Sequence, residues 1–397
     1  VTALDEQPRY GSVAGVLARS DVQAALAWIG DNRERFVADL IELSEIPAPT
    51  FAEERRAESF VDRLRHAGIT EIERDAAGNV IARLGGPGES SVLPHGPAFL
   101  AHLDTVFLQE TDVRVTRKSG RLYGPGIGDN AAGLAGLLQA LQAIKLAGIE
   151  LRRPVWVVAS TAEEGLGDLK GARAAIDRLR DRVDCVVAIE GALLGRVTHE
   201  AVGSLRWQVR FNGPGGHSWH DFGRASAINA AAAAVAELGS ISLPADPRTT
   251  YNVGRIEGGI GVNVIAAEAT MLIDFRSTGS TALEALVREA DAAIRRAAER
   301  EGVSVEVEKV GDRPAGSVRR DHVLVEMAAE VLRELGLEPR YEAASTDANV
   351  PLSQGIPAIT VGITHGGGIH TEDEWIDIAP SVTGIRQLLL LAMILAG

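Results

Sequence analysis

The sequence is short of cysteine, of aromatic residues and of positive charge. Its single cysteine, Cys185, excludes an intrachain disulfide, and at 397 residues the chain is long enough to bury a core without one. Cys185 lies in the apolar run Val183-Asp184-Cys185-Val186-Val187-Ala188-Ile189 and reads as a small buried hydrophobe. So sparse a use of cysteine fits a reducing compartment, and a cytoplasmic location is the expectation. Lys and Arg number 40 against 54 Asp and Glu, a net charge of −14. A chain this acidic is a poor partner for nucleic acid or an anionic membrane through bulk charge. Long apolar runs are missing too. The longest, Leu388 to Ala396, is about half the ~20 residues a membrane-spanning helix needs, and it reads as a final core helix. Val1-Thr2-Ala3-Leu4-Asp5 shows no basic region followed by an apolar one. The chain begins at Val1 rather than Met, which leaves room for a removed leader.

Glycine, by contrast, is plentiful, with 43 residues, several of them beside acidic residues and histidines. Between these clusters the apolar pattern alternates between two periods. Helical spacing runs over 21–46, 52–67, 131–146 and 169–180, and short apolar runs over 80–84, 98–103, 154–159 and 183–189 read as strands. Strands alternating with helices predict an α/β core, and unbroken runs such as Val155-Trp156-Val157-Val158-Ala159 suit a mostly parallel sheet with helices on both faces. Near residue 200 the pattern changes. Leu205, Trp207, Val209 and Phe211 alternate, and further strands at 251–256, 267–275 and 303–310 with helices at 225–238 and 283–298 predict a four-stranded sheet with two helices. The α/β pattern then returns with a helix at 323–335, a strand at 358–362 and a helix at 380–395. The expected organisation is one α/β domain, 1–203 and 313–397, interrupted by an inserted α+β domain, 204–312.

Potential metal groups fall at the ends of the core strands. His102 and Asp104 follow Ala98-Phe99-Leu100-Ala101, and the two-residue period of a strand puts them on one face, where Asp104 can fix the His102 ring. Asp129 stands in Gly124-Pro125-Gly126-Ile127-Gly128-Asp129-Asn130, directly before a helix. Glu163 and Glu164 follow one strand, Glu190 ends another, and His370 follows Gly366-Gly367-Gly368-Ile369. In open α/β sheets ligands collect at the carboxyl ends of strands. Each residue alone has a bland reading as solvated surface; their joint placement at successive strand ends does not. If the five carboxylates converge, two like charges ~5 Å apart repel by about 3 kcal/mol at an effective dielectric of 20. Several such pairs need cations. Two divalent ions balance Asp129, Glu164, Glu190 and a bridging hydroxide, and leave Glu163 as a base. Nitrogen and carboxylate ligands suit zinc, with cobalt and manganese as alternatives. Such a pair activates water and polarises a carbonyl, and a carboxylate beside it can pass a proton to a leaving amine: amide hydrolysis.

At these residues the sequence resembles the co-catalytic zinc metallopeptidases that include carboxypeptidase G, tripeptide aminopeptidase, aminoacylase, acetylornithine deacetylase and succinyl-diaminopimelate desuccinylase. The matching stretches are Ala101-His102-Leu103-Asp104-Thr105-Val106, Gly126-Ile127-Gly128-Asp129-Asn130-Ala131-Ala132-Gly133, Thr161-Ala162-Glu163-Glu164-Gly165-Leu166-Gly167, Ile189-Glu190-Gly191 and His370-Thr371-Glu372-Asp373-Glu374-Trp375. The resemblance implies that Asp129 bridges two metals, that Glu164 and His370 complete one site and His102 and Glu190 the other. It implies further that Glu163 is the general base, that Asp104 orients His102, and that the Asp129–Asn130 peptide is cis. By the same resemblance the inserted domain is a lid and dimerisation domain. Gly213-Pro214-Gly215-Gly216-His217-Ser218 matches the family's histidine loop, so His217 would stabilise the oxyanion, often from the partner subunit of a homodimer. Asn263 in Gly261-Val262-Asn263-Val264-Ile265, Arg276 in Asp274-Phe275-Arg276, and Gly367 would contact the substrate, a small peptide or N-acyl amino acid, with Arg276 on a carboxylate. Glutamate at position 190 is typical of the deacylases, whereas Ser345-Thr346-Asp347-Ala348-Asn349-Val350 resembles the tripeptide aminopeptidases. Trp219 departs from the small residues usual after the loop histidine.

Other readings are weaker. Gly216-His217-Ser218-Trp219-His220 lacks the second glycine of a serine nucleophile elbow, and Gly124-x-Gly126-x-Gly128 has the wrong spacing for a dinucleotide fingerprint. His66, His95, His199, His220, His322 and His365 belong to no motif. A catalytically silent relative that binds peptides or amino acids would show a lost ligand or base, and none is lost.

Overall fold

A computed structural model describes residues 10–86 and 95–397. The segment Val1–Asp5 discussed above lies outside the described residues. The chain divides into two compact units, one running up to Glu200 and resuming with Ser317–Gly397, the other Ala201–Gly316.

The first unit is mixed α/β. Its main sheet runs in the order Glu71–Arg74, Val80–Leu84, Val155–Ser160, Gly96–His102, Val183–Glu190, Ala358–Gly362, Arg196–Ala201. The four strands from Val155–Ser160 to Ala358–Gly362 are mutually parallel, and the strands beyond them pair antiparallel. The parallel centre is where the unbroken apolar runs lie, because strands covered on both faces have no polar side to display; every residue of Gly96–His102, Val155–Ser160 and Ala358–Gly362 is buried. Phe99, Ala101, Val157, Val187 and Ile189 share one core with helices Ala132–Leu146 and Ser381–Ala396, while helix Lys170–Leu179 packs on Val155–Ser160. Leu388 to Ala396 is indeed the buried last helix, and among the described residues no helix is long and apolar enough to cross a membrane.

Several features differ from the sequence expectations, among them the strands Glu71–Arg74 and Arg196–Ala201 of the main sheet. The single helix predicted over 21–46 is two, Ser20–Asp31 and Arg33–Ser44. Asn32 marks the break, with φ −108° and ψ 28°: its side chain donates back to the Trp28 carbonyl at 2.9 Å, and its own carbonyl, which accepts from the Arg35 amide at 3.0 Å, also accepts from the Gln139 side chain at 2.8 Å. A small antiparallel sheet, ordered Gly366–Gly367, Trp375–Asp377, Arg121–Tyr123, Thr116–Lys118, is also new. Strands of two or three residues carry no readable period, yet this sheet presents the loops that hold Asp129 and His370.

One buried cation ties the helical layer to the sheet. Arg56, on helix Glu54–His66, is 1% exposed and donates to the carbonyls of Ile46 (2.6 Å) and Leu103 (2.8 Å), so it pins the residue next to His102. Burial pulls its pKa down to about 10, which leaves it charged at neutral pH. Arg56→Met should destabilise the protein by about 3 kcal/mol, since two buried carbonyls lose their donors. Urea unfolding checks this; a loss below ~0.5 kcal/mol would place the stabilisation elsewhere.

The second unit has a four-stranded antiparallel sheet, ordered Thr249–Gly258, Glu268–Ser277, Gly203–Asn212, Ser304–Arg313, with helices Ala227–Leu238 and Ser280–Glu301. Val209, Phe211, Met271, Ile273 and Phe275 alternate inward against the alanine-rich helices.

Candidate metal centre

Three neighbouring parallel strands deliver the first groups. His102 ends Gly96–His102 opposite Ser160, Glu163 and Glu164 follow Val155–Ser160, and Glu190 ends Val183–Glu190. Gly191 must be glycine for the next loop to close in, because a Cβ there would sit 2.0 Å from the Gly128 carbonyl oxygen. Asp129 lies just ahead of helix Ala132–Leu146, and the Asp129–Asn130 peptide is cis.

The turn that carries Glu163 and Glu164 is built on acceptors. Asp104 is fully buried; its Oδ1 accepts from the Glu163 amide at 3.0 Å, and its Oδ2 accepts from the Glu164 amide and the Thr50 hydroxyl, both at 2.9 Å. Glu53 accepts from the Ala162 amide at 2.9 Å and holds that residue at φ 51°, a left-handed conformation that costs a non-glycine residue about 1 kcal/mol. His370, at φ 66°, is likewise left-handed.

The groups meet around Asp129. His102 Nε2 lies 2.9 Å from Asp129 Oδ1 and 3.9 Å from Glu190 Oε2. His370 Nε2 lies 3.2 Å from Asp129 Oδ2 and 3.0 Å from Glu164 Oε1. Three sets of potential donor atoms therefore fall within 4.8 Å: His102, Asp129 and Glu190; Asp129, Glu164 and His370; and His102, Glu163 and Glu164. The first two share Asp129, with His102 beside its Oδ1 and His370 beside its Oδ2. The His102 ring faces both the backbone and the carboxylate of Asp104. Its Nδ1 is 3.0 Å from the backbone carbonyl of Asp104 and 3.6 Å from the carboxylate, which is engaged with the Glu163–Glu164 turn.

The electrostatics fit cations. Burial, reinforced by the charges of Asp129 and others, holds Glu190 well above the usual carboxylate range. Burial works against ionisation of Asp129 as well, but hydrogen bonds with His102 and His370 outweigh it and hold its carboxyl low. His370, bonded to Asp129 and Glu164, is pushed up to about 10; His102, despite its burial, is raised by Asp104 and Asp129. Protons on the two imidazoles offset the carboxylates. Divalent cations would offset them more fully and release those protons, and the imidazole and carboxylate donors suit a transition metal.

Two further buried carboxylates contribute to the site. Glu374, wholly buried, accepts from three amides of the Asp129 loop, and burial pushes it up to about 7. Asp347 accepts from the Ser160 hydroxyl and adds its charge to the field at Glu190. Gly367 pairs with Trp375 in the small sheet, and the Trp375 ring would lie 3.0 Å from a Cβ there.

The second unit brings His217 and Asn263 together. His217 pairs with Val264, and the Ser218 amide donates to the Asn263 carbonyl at 3.0 Å. The His217 Nδ1 accepts from the Trp219 amide at 3.2 Å, which leaves Nε2 to carry the proton. Arg276 donates to Asp274 at 2.6 Å.

Comparison with known proteins places this geometry. The model described as peptidase family M20/M25/M40 matches residues 98–394. The Bacillus subtilis protein YqjE is 26% identical over 360 residues, 86% of this chain and 93% of that protein. A succinyl-diaminopimelate desuccinylase of Nitrosospira multiformis is 28% identical over 261 residues, covering 60% and 67% of the two chains. A tripeptidase of Staphylococcus aureus superposes with a TM-score of 0.78 at 25% identity, over 91% of this chain and 98% of that one. With its fold and its clustered ligands joined to a family match across most of its length, this chain belongs to peptidase family M20/M25/M40 and is a metal-dependent hydrolase of peptide or other amide bonds.

Proposed function

We propose that the protein cleaves the amide bond of a small peptide or N-acyl amino acid with two divalent ions, zinc for preference, held on either side of Asp129. The observation that carries this reading is the sharing of Asp129 between two three-donor sets. His102 and Glu190 complete one set, Glu164 and His370 the other. Divalent ions bound there would lower the pKa of water and polarise a substrate carbonyl. The third donor set, in which Glu163 lies within 4.8 Å of His102 and Glu164, supports assigning Glu163 the proton transfers. It takes a proton from the attacking water as the C–O bond forms, then gives it to the amine nitrogen as the C–N bond breaks. Asp104 positions the catalytic turn by accepting hydrogen bonds from the Glu163 and Glu164 amides, and supports His102 through its backbone carbonyl.

In this reading the unit Ala201–Gly316 is a lid. His217, its Nε2–H fixed as a donor, stabilises the oxyanion from the partner subunit of a homodimer; Asn263, Gly367 and Arg276 hold the substrate, Arg276 through a carboxylate with Asp274 sharing its guanidinium. The exposed side chains of Trp219 (82%), Phe222 (90%) and Ile260 (90%) favour an interface near His217. Replacing His217 by alanine should lower kcat by about 10²–10³-fold with metal content unchanged. A fully active monomer by light scattering would remove the cross-subunit role.

The substrate class follows from a panel of free tripeptides, dipeptides, N-acetyl and N-succinyl amino acids, assayed with zinc-loaded protein and again after chelation. One class should turn over at least ~100-fold faster than the others, and only with metal present. No turnover of any member would favour a catalytically silent, peptide-binding relative.

A further inference from the structure

We infer that Glu374 is a positioning residue that sets the separation of the two halves of the metal centre by joining the loop of Asp129 to the loop of His370. The inference rests on the metal-centre reading above and assigns a function to a side chain that touches neither metal ligand's donor atoms.

Glu374 stands four residues after His370 in a tightly closed segment. The Thr371 amide and hydroxyl donate to the Gly368 carbonyl at 3.0 and 2.7 Å, and the Glu374 amide donates to the Thr371 carbonyl at 3.1 Å. From this base the side chain crosses to the other loop. Its Oε2 accepts from the Gly126 amide at 3.0 Å, and its Oε1 accepts from the Gly128 and Asp129 amides at 2.7 and 2.8 Å. The backbone adds a fourth tie, from the Gly124 amide to the Glu374 carbonyl at 2.9 Å. Glu374 is 0% exposed, and a Cβ on Gly128 would already lie 3.0 Å from its Oε1.

A fully buried acid is an unfavourable choice for a simple loop staple. Three convergent N–H groups need an acceptor with two oxygens, and a carboxylate alone offers that without adding a donor. The bonded amides include that of Asp129 itself, so the direction of the Asp129 side chain depends on Glu374. The same rigid segment places His370, and His370 Nε2 lies 3.2 Å from Asp129 Oδ2. Moving either loop against the other opens the Asp129–Glu164–His370 set, whereas the His102–Asp129–Glu190 set retains two donors on neighbouring strands. The weaker-bound ion should therefore be the one at His370.

The test is a titration of the full chain with cobalt(II), read by its visible spectrum and by metal content after desalting. The wild type should bind two ions. Glu374→Gln keeps one oxygen and places an amide group against the Gly126 N–H; it should weaken the second ion about 10-fold, and Glu374→Ala about 100-fold, with the first ion changed much less. Glu330→Gln, on an exposed helix face, is the control. Unchanged affinity for both ions and an unchanged spectrum in Glu374→Gln, whether or not its melting temperature falls, would overturn the inference and leave Glu374 a structural residue. If Glu374→Ala fails to fold, Glu374→Gln decides alone. A wild type that binds no pair of ions would instead bring down the metal-centre reading and this inference with it.

Discussion

Replacing Glu163 by alanine should leave two metal ions per chain in place and lower kcat by about 10³–10⁴-fold. The expectation separates two functions that the geometry allows. Glu163 belongs to one three-donor set with His102 and Glu164, so it could be a ligand as readily as a base. Two sets exclude it, however, and those two already divide His102, Glu190, Glu164 and His370 around a common Asp129. Glu163 is only 4% exposed, so the base proposed for it would be shielded from bulk water. Its backbone is fixed by Asp104, so the variant should keep the turn and with it Glu164. Glu163→Gln keeps shape and removes basicity, and should be about as inactive as the alanine variant. Equal loss of metal and activity would make Glu163 a ligand; retention of most activity would remove it from the mechanism.

Asp129→Asn should be more damaging than loss of any other single ligand. His102 approaches Asp129 Oδ1 and His370 approaches Oδ2, so one change strikes both halves. The asparagine fills the same space but offers one oxygen, a nitrogen that cannot ligate and no negative charge. Affinity for both ions should fall by at least ~100-fold, and kcat/KM at fixed micromolar zinc by at least ~10³-fold. The stabilisation that metal confers should go too: at a hundred times the dissociation constant a ligand adds about 2.7 kcal/mol, and the variant's melting temperature should no longer rise with zinc. His370→Ala, which touches one set, should still bind an ion at the other. Calorimetric titration of the two variants distinguishes these outcomes; equal behaviour would mean that Asp129 is not shared.

Much of this centre was legible because it obeys a rule of architecture. Runs such as Ala98-Phe99-Leu100-Ala101 and Val186-Val187-Ala188-Ile189 announce buried strands, and the polar residues that end them are brought together by the parallel sheet. The assignment of ligands to particular ions came from family resemblance rather than from spacing. What the sequence hid depends on the backbone. Glu374 bonds to amides some 245 to 248 residues away, and no side-chain pattern records that. The support of His102 by the Asp104 carbonyl is equally invisible, since any residue has a carbonyl. The Gly366–Gly367 and Trp375–Asp377 strands are too short for a period, and the break at Asn32 lies in the non-helical backbone angles of one residue.

The most direct test of the account is anomalous diffraction at the zinc edge from crystals of zinc-loaded protein. It predicts two peaks in each chain, one among His102, Asp129 and Glu190, the other among Asp129, Glu164 and His370. A single peak, none, or a pair away from Asp129 would contradict it.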